Sequence, residues 1–234
     1  MGNSLSIVLI TLNSERYLPK VLESCLFAQE IVIVDSGSTD NTKKIAQKFG
    51  ARFIHQGWLG FGRQKQFAVE QARNDWVFVL DSDEIIPEEL QQEIISTLEN
   101  PKFKAYKVPR LNYFFGRPIK TCGLYPDYTI RLFNCQFARF SDDKVHEKVL
   151  YDGPLGKLKN HLIHFAYESV DEFIEKQNRY SSLAKKPNRL KAIFSPKWTF
   201  FQKFILQRGF LDGWHGYLIA KLYSQYTFWK YIKS

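Results

Sequence analysis

Cysteine is scarce in this 234-residue chain: Cys25, Cys122 and Cys135 are odd in number and lack metal-ligand spacing. A disulfide framework and a cysteine zinc site are therefore excluded as organising devices, and a reducing cytosol is the expected compartment. No apolar run approaches the roughly 18 to 20 residues that a spanning helix needs. Met1-Gly2-Asn3-Ser4 leads straight into a strand-like stretch instead of a basic and then apolar leader, so no secretory signal is expected. The first strand is not followed by a Gly-x-Gly-x-x-Gly turn, which argues against a dinucleotide-binding domain. The glycines from Gly57 to Gly62 lack the Gly-Lys-Ser/Thr ending of a Walker loop. Internal repeats and low-complexity segments are absent as well. What is left is a chain long enough to bury a substantial core, as one large domain or a domain with an appendage.

Acidic residues are missing from one region in particular. The net charge is +9, yet from Lys176 onward there are 12 Lys or Arg and a single acid, Asp212, while the rest of the chain carries 21 basic and 23 acidic residues. In that C-terminal quarter Trp198, Phe201, Phe204, Trp214 and Trp229 interleave with Lys197, Lys203, Lys221 and Lys230. Aromatic anchors beside basic residues suit an anionic membrane surface. A packed helical appendage with a solvated basic face accounts for the same pattern. A nucleic-acid-binding module would also combine charge with stacking aromatics, but it leaves the acidic strand ends described next without a role, so no nucleic-acid partner is expected.

The richest local signal is Val77-Phe78-Val79-Leu80-Asp81-Ser82-Asp83-Glu84, in which four apolar residues deliver three carboxylates within four positions. The end of a buried strand lies at the carboxyl edge of its sheet, where open α/β folds bind ligands. An Asp-x-Asp pair there offers hard oxygen ligands suited to Mg²⁺ or Mn²⁺ holding a diphosphate; a polar turn after a strand is the plainer alternative. Strand-like runs at Ser6–Ile10, Ile31–Val34 and Ala51–His55 alternate with helical spacing over Arg16–Phe27, from the Ser38-Thr39-Asp40 cap to about Phe49, and from about Arg63 to Ala72. Such alternation predicts a mainly parallel sheet with crossover helices. Its edge would gather Thr11-Leu12-Asn13, Asp35-Ser36-Gly37-Ser38 and Asp81-Ser82-Asp83. Thr11, Asn13, Asp35 and Ser36 carry groups that can bind a base and ribose, although Asp35 and Ser36 can equally make a turn. Lys65 follows the glycine loop as a possible phosphate contact or a solvated helix start. Farther on, Val145-His146-Glu147 and the apolar run around His164 carry ionisable groups that gain meaning only if folding brings them to Asp83. An Asp-dependent phosphohydrolase could also use the Asp-x-Asp pair, but its nucleophile usually ends the first strand, where this chain has Thr11-Leu12-Asn13.

Together, Ile7–Arg16, Val34–Thr39, Trp58–Lys65 and Leu80–Glu84 resemble the inverting GT-A glycosyltransferases of family 2. Tyr125-Pro126-Asp127, Arg131-Leu132-Phe133, Val145-His146-Glu147 and Arg208–Gly213 are similar to the lipopolysaccharide inner-core glucosyltransferase-like branch of that family. The resemblance implies a UDP-hexose donor, most simply UDP-glucose, a lipopolysaccharide core or other glycan acceptor, and Mg²⁺ or Mn²⁺. By position, Thr11, Asn13 and Asp35 would contact uridine, and Glu15, Ser36, Lys65, Asp81 and Ser82 would complete the donor site. Asp83 would ligate the metal, with Asp81 and His164 as further ligands. Glu147 would be the catalytic base, with Asp127 as the second choice. The expected organisation is α/β of the GT-A, Rossmann-like type: a nucleotide-sugar-binding half over 1–100, an acceptor and catalytic half over 101–170, and a helical basic and aromatic appendage over 171–234. The expected location is cytoplasmic, peripheral on the inner face of the cytoplasmic membrane.

Overall fold

The computed structural model describes residues 3–142, 147–181 and 187–233. Its elements run β1 (Leu5–Thr11), α1 (Leu18–Glu23), β2 (Glu30–Asp35), α2 (Thr42–Lys48), β3 (Arg52–His55), α3 (Phe61–Glu70), β4 (Trp76–Asp81), β5 (Glu84–Ile85) and α4 (Glu88–Glu99). They continue with β6 (Ala105–Phe114), β7 (Arg117–Ile119), β8 (Asp127–Asn134), β9 (Arg139–Phe140), β10 (Val149–Leu150), β11 (Leu155–Lys157), β12 (Leu162–Tyr167), α5 (Val170–Ser181), α6 (Arg189–Phe201) and α7 (Gly213–Ile232). A π-helical turn, Gln202–Leu206, and a 3₁₀ turn, Gly209–Asp212, join the last two helices.

The first compact unit comprises the chain up to Arg110 and Tyr128–His164. Here β1 pairs in parallel with β2 and β4, and β3 extends the sheet beyond β2. β1, β2 and β4 are apolar almost throughout because both faces of the sheet are covered. One face buries Ile7, Leu9, Ile33, Phe78 and Leu80 against Leu18, Leu22 and Leu90. The opposite face buries Val8, Val32, Val34, Val77 and Val79 against Ala68, Phe133 and Phe140. β8 adds to β4 in the antiparallel sense, and the short β5 pairs with β12, putting Glu84 opposite His164.

Two local expectations change. α1 ends at Glu23 instead of reaching Phe27, because the Ser24 hydroxyl turns back to the carbonyl of Val21 at 2.7 Å, a local bond that competes with helix continuation. α2 begins at Thr42, whose N–H is accepted by Asp40 at 3.0 Å.

The second unit comprises Leu111–Asp127 and the chain from Phe165 onward. It has its own core of Phe114, Ile119, Cys122, Tyr167, Phe173 and Ile219. Within it, α6 and α7 are tied by Ser224 Oγ donating to the Pro196 carbonyl at 2.8 Å and by contact between the Thr199 and Thr227 hydroxyls at 3.2 Å. Gly216 permits the turn before α7 to close, since a Cβ there would lie 1.8 Å from the Gly209 carbonyl oxygen. The compact units divide within β6, at the start of β8 and within β12.

Candidate active site

Strand register levels three carboxyl ends: Thr11 is paired with Asp35 across β1 and β2, and Ile10 with Asp81 across β1 and β4. Side chains then lace the loops beyond them. Thr11 Oγ1 donates to Asp35 Oδ1 at 2.8 Å, and Asp35 Oδ2 accepts the N–H groups of Gly37 and Ser38 at 2.9 and 2.8 Å. Burial alone would raise the Asp35 pKa, but bonds from Ser38, Gly37 and Thr11 outweigh it and hold the carboxyl below its ordinary value. Asn13 occupies the left-handed region at φ +50°, which asparagine tolerates better than most residues, and its Oδ1 accepts the Thr39 N–H at 2.9 Å. Glu15 Oε2 accepts from the Asn41 backbone at 3.0 Å, Ser36 Oγ from Gln64 at 3.1 Å, and Ser82 Oγ meets Ser14 Oγ at 3.0 Å. The donor-site candidates of the three strand ends thus share one edge, and each already organises the loops there.

On the face covered by α3, charges form a chain. Lys65 Nζ, on a side chain only 7% exposed, lies 2.9 Å from Asp81 Oδ1 and 3.0 Å from Glu147 Oε1. Burial opposes the lysine's charge, but Asp81 and Glu147 more than offset burial and nearby Arg131, leaving its pKa raised. Arg131 reaches Asp81 Oδ2 at 2.7 Å and Glu84 Oε1 at 2.5 Å, and Arg110 approaches the same Glu84 oxygen at 3.5 Å. Glu84 is fully buried, and its second oxygen accepts the Asp81 N–H at 3.0 Å. Burial disfavours ionised Asp81, yet Arg131 and Lys65 together hold its pKa well below the usual carboxylate range. Burial likewise opposes the Arg131 charge, and Asp81 and Glu84 reverse that, raising its pKa.

Asp83 and His164 meet separately, with His164 Nε2 3.6 Å from Asp83 Oδ2. Among the described residues no three His, Cys, Asp or Glu side chains converge as a metal-ligand group. A divalent ion at a diphosphate takes one or two carboxylates and fills its remaining positions with phosphate oxygens and water, so Asp83 fits an ion of that kind, with the His164 imidazole beside it. Asp81, expected as a further ligand, has both oxygens engaged by Lys65 and Arg131. Asp127 opens β8 within the second compact unit. Val145 and His146 lie outside the described residues.

A cleft of about 520 Å³ opens beside this chain of charges. Lys65, Asp81, Arg131 and Glu147 line it, with Lys107, Arg110 and Lys148 adding positive charge and Tyr128 an aromatic wall. Sequence reasoning gave no site role to Glu84, Lys107, Arg110 or Arg131. The available signal was an arginine flanked by Ile130, Leu132 and Phe133, since a charge within an apolar strand is seldom buried without a partner.

The sequence model described as Glycosyl transferase family 2 matches residues 6–140. Over 240 residues the chain is 32% identical to the lipopolysaccharide core biosynthesis glycosyltransferase LpsC of Rhizobium meliloti (strain 1021), spanning 96% of this chain and 89% of that protein. It is 28% identical over 250 residues to an uncharacterized glycosyltransferase of Rickettsia typhi, spanning 98% and 86%. Among solved structures, S. aureus TarS 1–349 in complex with UDP is similar in fold, with a TM-score of 0.52 at 17% identity, covering 90% of this chain and 75% of that one. The α/β GT-A architecture expected from the sequence is the architecture observed.

Proposed function

Because the chain belongs to glycosyl transferase family 2, we propose that it moves a hexosyl group, glucose from UDP-glucose, onto a lipopolysaccharide inner-core sugar or related glycan by one inverting displacement. The observation that carries this reading is the placement of Glu147, a carboxylate held by Lys65 in the cleft that also contains Asp81. The name of the Rhizobium relative supports the acceptor class. The fold neighbour TarS, solved with UDP and with UDP-GlcNAc, supports a uridine nucleotide.

In this reading Thr11, Asn13, Glu15, Asp35 and Ser36 shape the uridine end of the site, and Ser82 positions the loop after β4. Lys65 and Arg131 fix Asp81 toward the ribose. Glu147 takes the proton of the attacking acceptor hydroxyl as that oxygen closes on the anomeric carbon. Asp83 and His164 would hold Mg²⁺ or Mn²⁺, and such an ion neutralises charge on a departing diphosphate. Asp83→Asn is therefore expected to raise the metal concentration for half-maximal turnover by at least about 10- to 100-fold, the cost of losing even an outer-shell partner of a ligand. An unchanged metal titration would remove Asp83 from that role.

Lys107, Arg110 and Lys148 suit an acceptor bearing a carboxylate or phosphate. Lys107→Gln is expected to raise the acceptor KM about tenfold, the worth of one charge-assisted hydrogen bond, with the donor KM unchanged. Equal rises in both would place Lys107 on the donor instead. The overall reading is tested by screening nucleotide sugars for release of nucleoside diphosphate, with and without core oligosaccharide and divalent metal. Release from UDP-glucose that requires acceptor and metal supports it; release indifferent to acceptor counts against transfer. A peripheral site on the inner face of the cytoplasmic membrane completes the proposal. No helix among the described residues is long and apolar enough to cross a membrane. No observation favours the nucleic-acid or phosphohydrolase alternatives.

A further inference from the structure

α6 is amphipathic with its apolar side facing outward. Leu190, Ile193, Phe194, Trp198 and Phe201 recur at helical spacing and are exposed by 71, 54, 64, 57 and 44%. Residues three and four apart share a helix face, so the five form one stripe. The inward side carries Ala192, the only residue of α6 that is buried. The π-helical turn takes about one residue more per turn and extends the chain through Ile205 and Leu206, exposed by 44 and 56%. Phe210, Leu211 and Trp214 follow, also exposed, and Trp214 stacks on Tyr217.

The charge around these side chains identifies what covers them. Arg189, Lys191, Lys197 and Arg208 are exposed among them. The one acid of the segment, Asp212, is turned inward, its Oδ2 accepting the Thr121 hydroxyl at 2.5 Å. A second copy of this face would bring like charge against like charge. An anionic lipid surface supplies the opposite charge at the headgroups and an apolar layer beneath. Not every lysine of the segment is available for such contact. Lys203 donates to the Cys122 carbonyl at 3.0 Å and sits 4.2 Å from the centre of the Tyr223 ring.

We propose that α6 and the turn after it lie in the plane of an anionic bilayer as a monotopic anchor. The outward stripe enters the boundary between headgroups and acyl chains, and Arg189, Lys191, Lys197 and Arg208 remain at the phosphates. This deepens the membrane reading given above and rests on it. It differs from surface electrostatics in one measurable respect: attachment outlasts the screening of charge.

The test uses the whole chain with vesicles of phosphatidylcholine alone or mixed with phosphatidylglycerol. The wild type is expected to sediment with the mixed vesicles and to stay bound in about 1 M salt, where the screening length is about 3 Å. Phe194→Ser/Trp198→Ser/Phe201→Ser, changed together, is expected to weaken partitioning at least about tenfold while the circular dichroism spectrum is kept. In the wild type, tryptophan emission is expected to be quenched by lipids brominated on their acyl chains, a measurement that needs no variant. If the triple variant partitions like the wild type, or salt releases the protein and bromine leaves its emission unchanged, insertion is overturned while membrane attachment stands. If the wild type binds neither vesicle, or binds an acidic protein in preference to lipid, the anchor and the membrane reading fall together. Nucleoside diphosphate release in solution reports separately on the transferase reading.

Discussion

Glu147→Gln is expected to lower kcat by about 10² to 10⁴, the range contributed by a general base, with donor affinity nearly unchanged. Glutamine preserves the shape of the side chain but cannot take a proton from the acceptor hydroxyl. Lys65 keeps its 2.9 Å contact with Asp81 and loses only the charge of its second partner, 3.0 Å away, so the donor side of the cleft is left in place. Binding of UDP by calorimetry, set beside turnover with saturating acceptor, separates the two effects. If the variant turns over normally and Asp127→Asn is inactive, the base is Asp127. If both variants lose donor binding in proportion to activity, Glu147 supports the fold of the cleft and not the proton transfer.

Arg131→Met is expected to cost about 3 to 5 kcal/mol of stability near neutral pH, the usual penalty for breaking a buried ion pair from one side. Of the cations that neutralise it, fully buried Glu84 would keep the more distant Arg110 at 3.5 Å, and Asp81 would keep Lys65. Urea denaturation of the two proteins measures the difference, and adding Glu84→Gln to the variant is expected to recover part of it. The deficit also depends on pH in a definite direction. The Asp81 pKa is depressed in the folded protein, so its contribution is complete above the ordinary carboxylate range and is lost as pH falls through the depressed value. The gap between wild type and variant should therefore narrow on the acid side. A gap that is small at neutral pH, or that widens on acidification, would contradict the network described here.

The sheet and its edge were legible because their signals are local. An apolar run ending in Asp81-Ser82-Asp83 marks a buried strand and its exit, and alternating helices fix its parallel neighbours. The partners of those carboxylates were not legible. Lys65 and Glu147 are 82 positions apart, and Arg131 is 50 from Asp81. No spacing rule connects such residues, and an arginine in β8 reads equally well as pointing to water. The direction of α6 was hidden for a different reason. Periodicity identifies an amphipathic helix but not which side meets solvent, so the C-terminal aromatics read equally as membrane anchors or as a packed appendage until the exposed side of α6 is seen.

The Arg131 network also constrains the order of folding. Burying any one of its members before the others arrive leaves a charge in a medium that cannot solvate it. β4, which brings Asp81, and β5, which brings Glu84, cannot lose their water profitably until β8 docks with its guanidinium. The late strand is thereby coupled to the early ones as part of one cooperative step. A state that held the parallel core without β8 would have to keep this edge, where a donor would sit, in water.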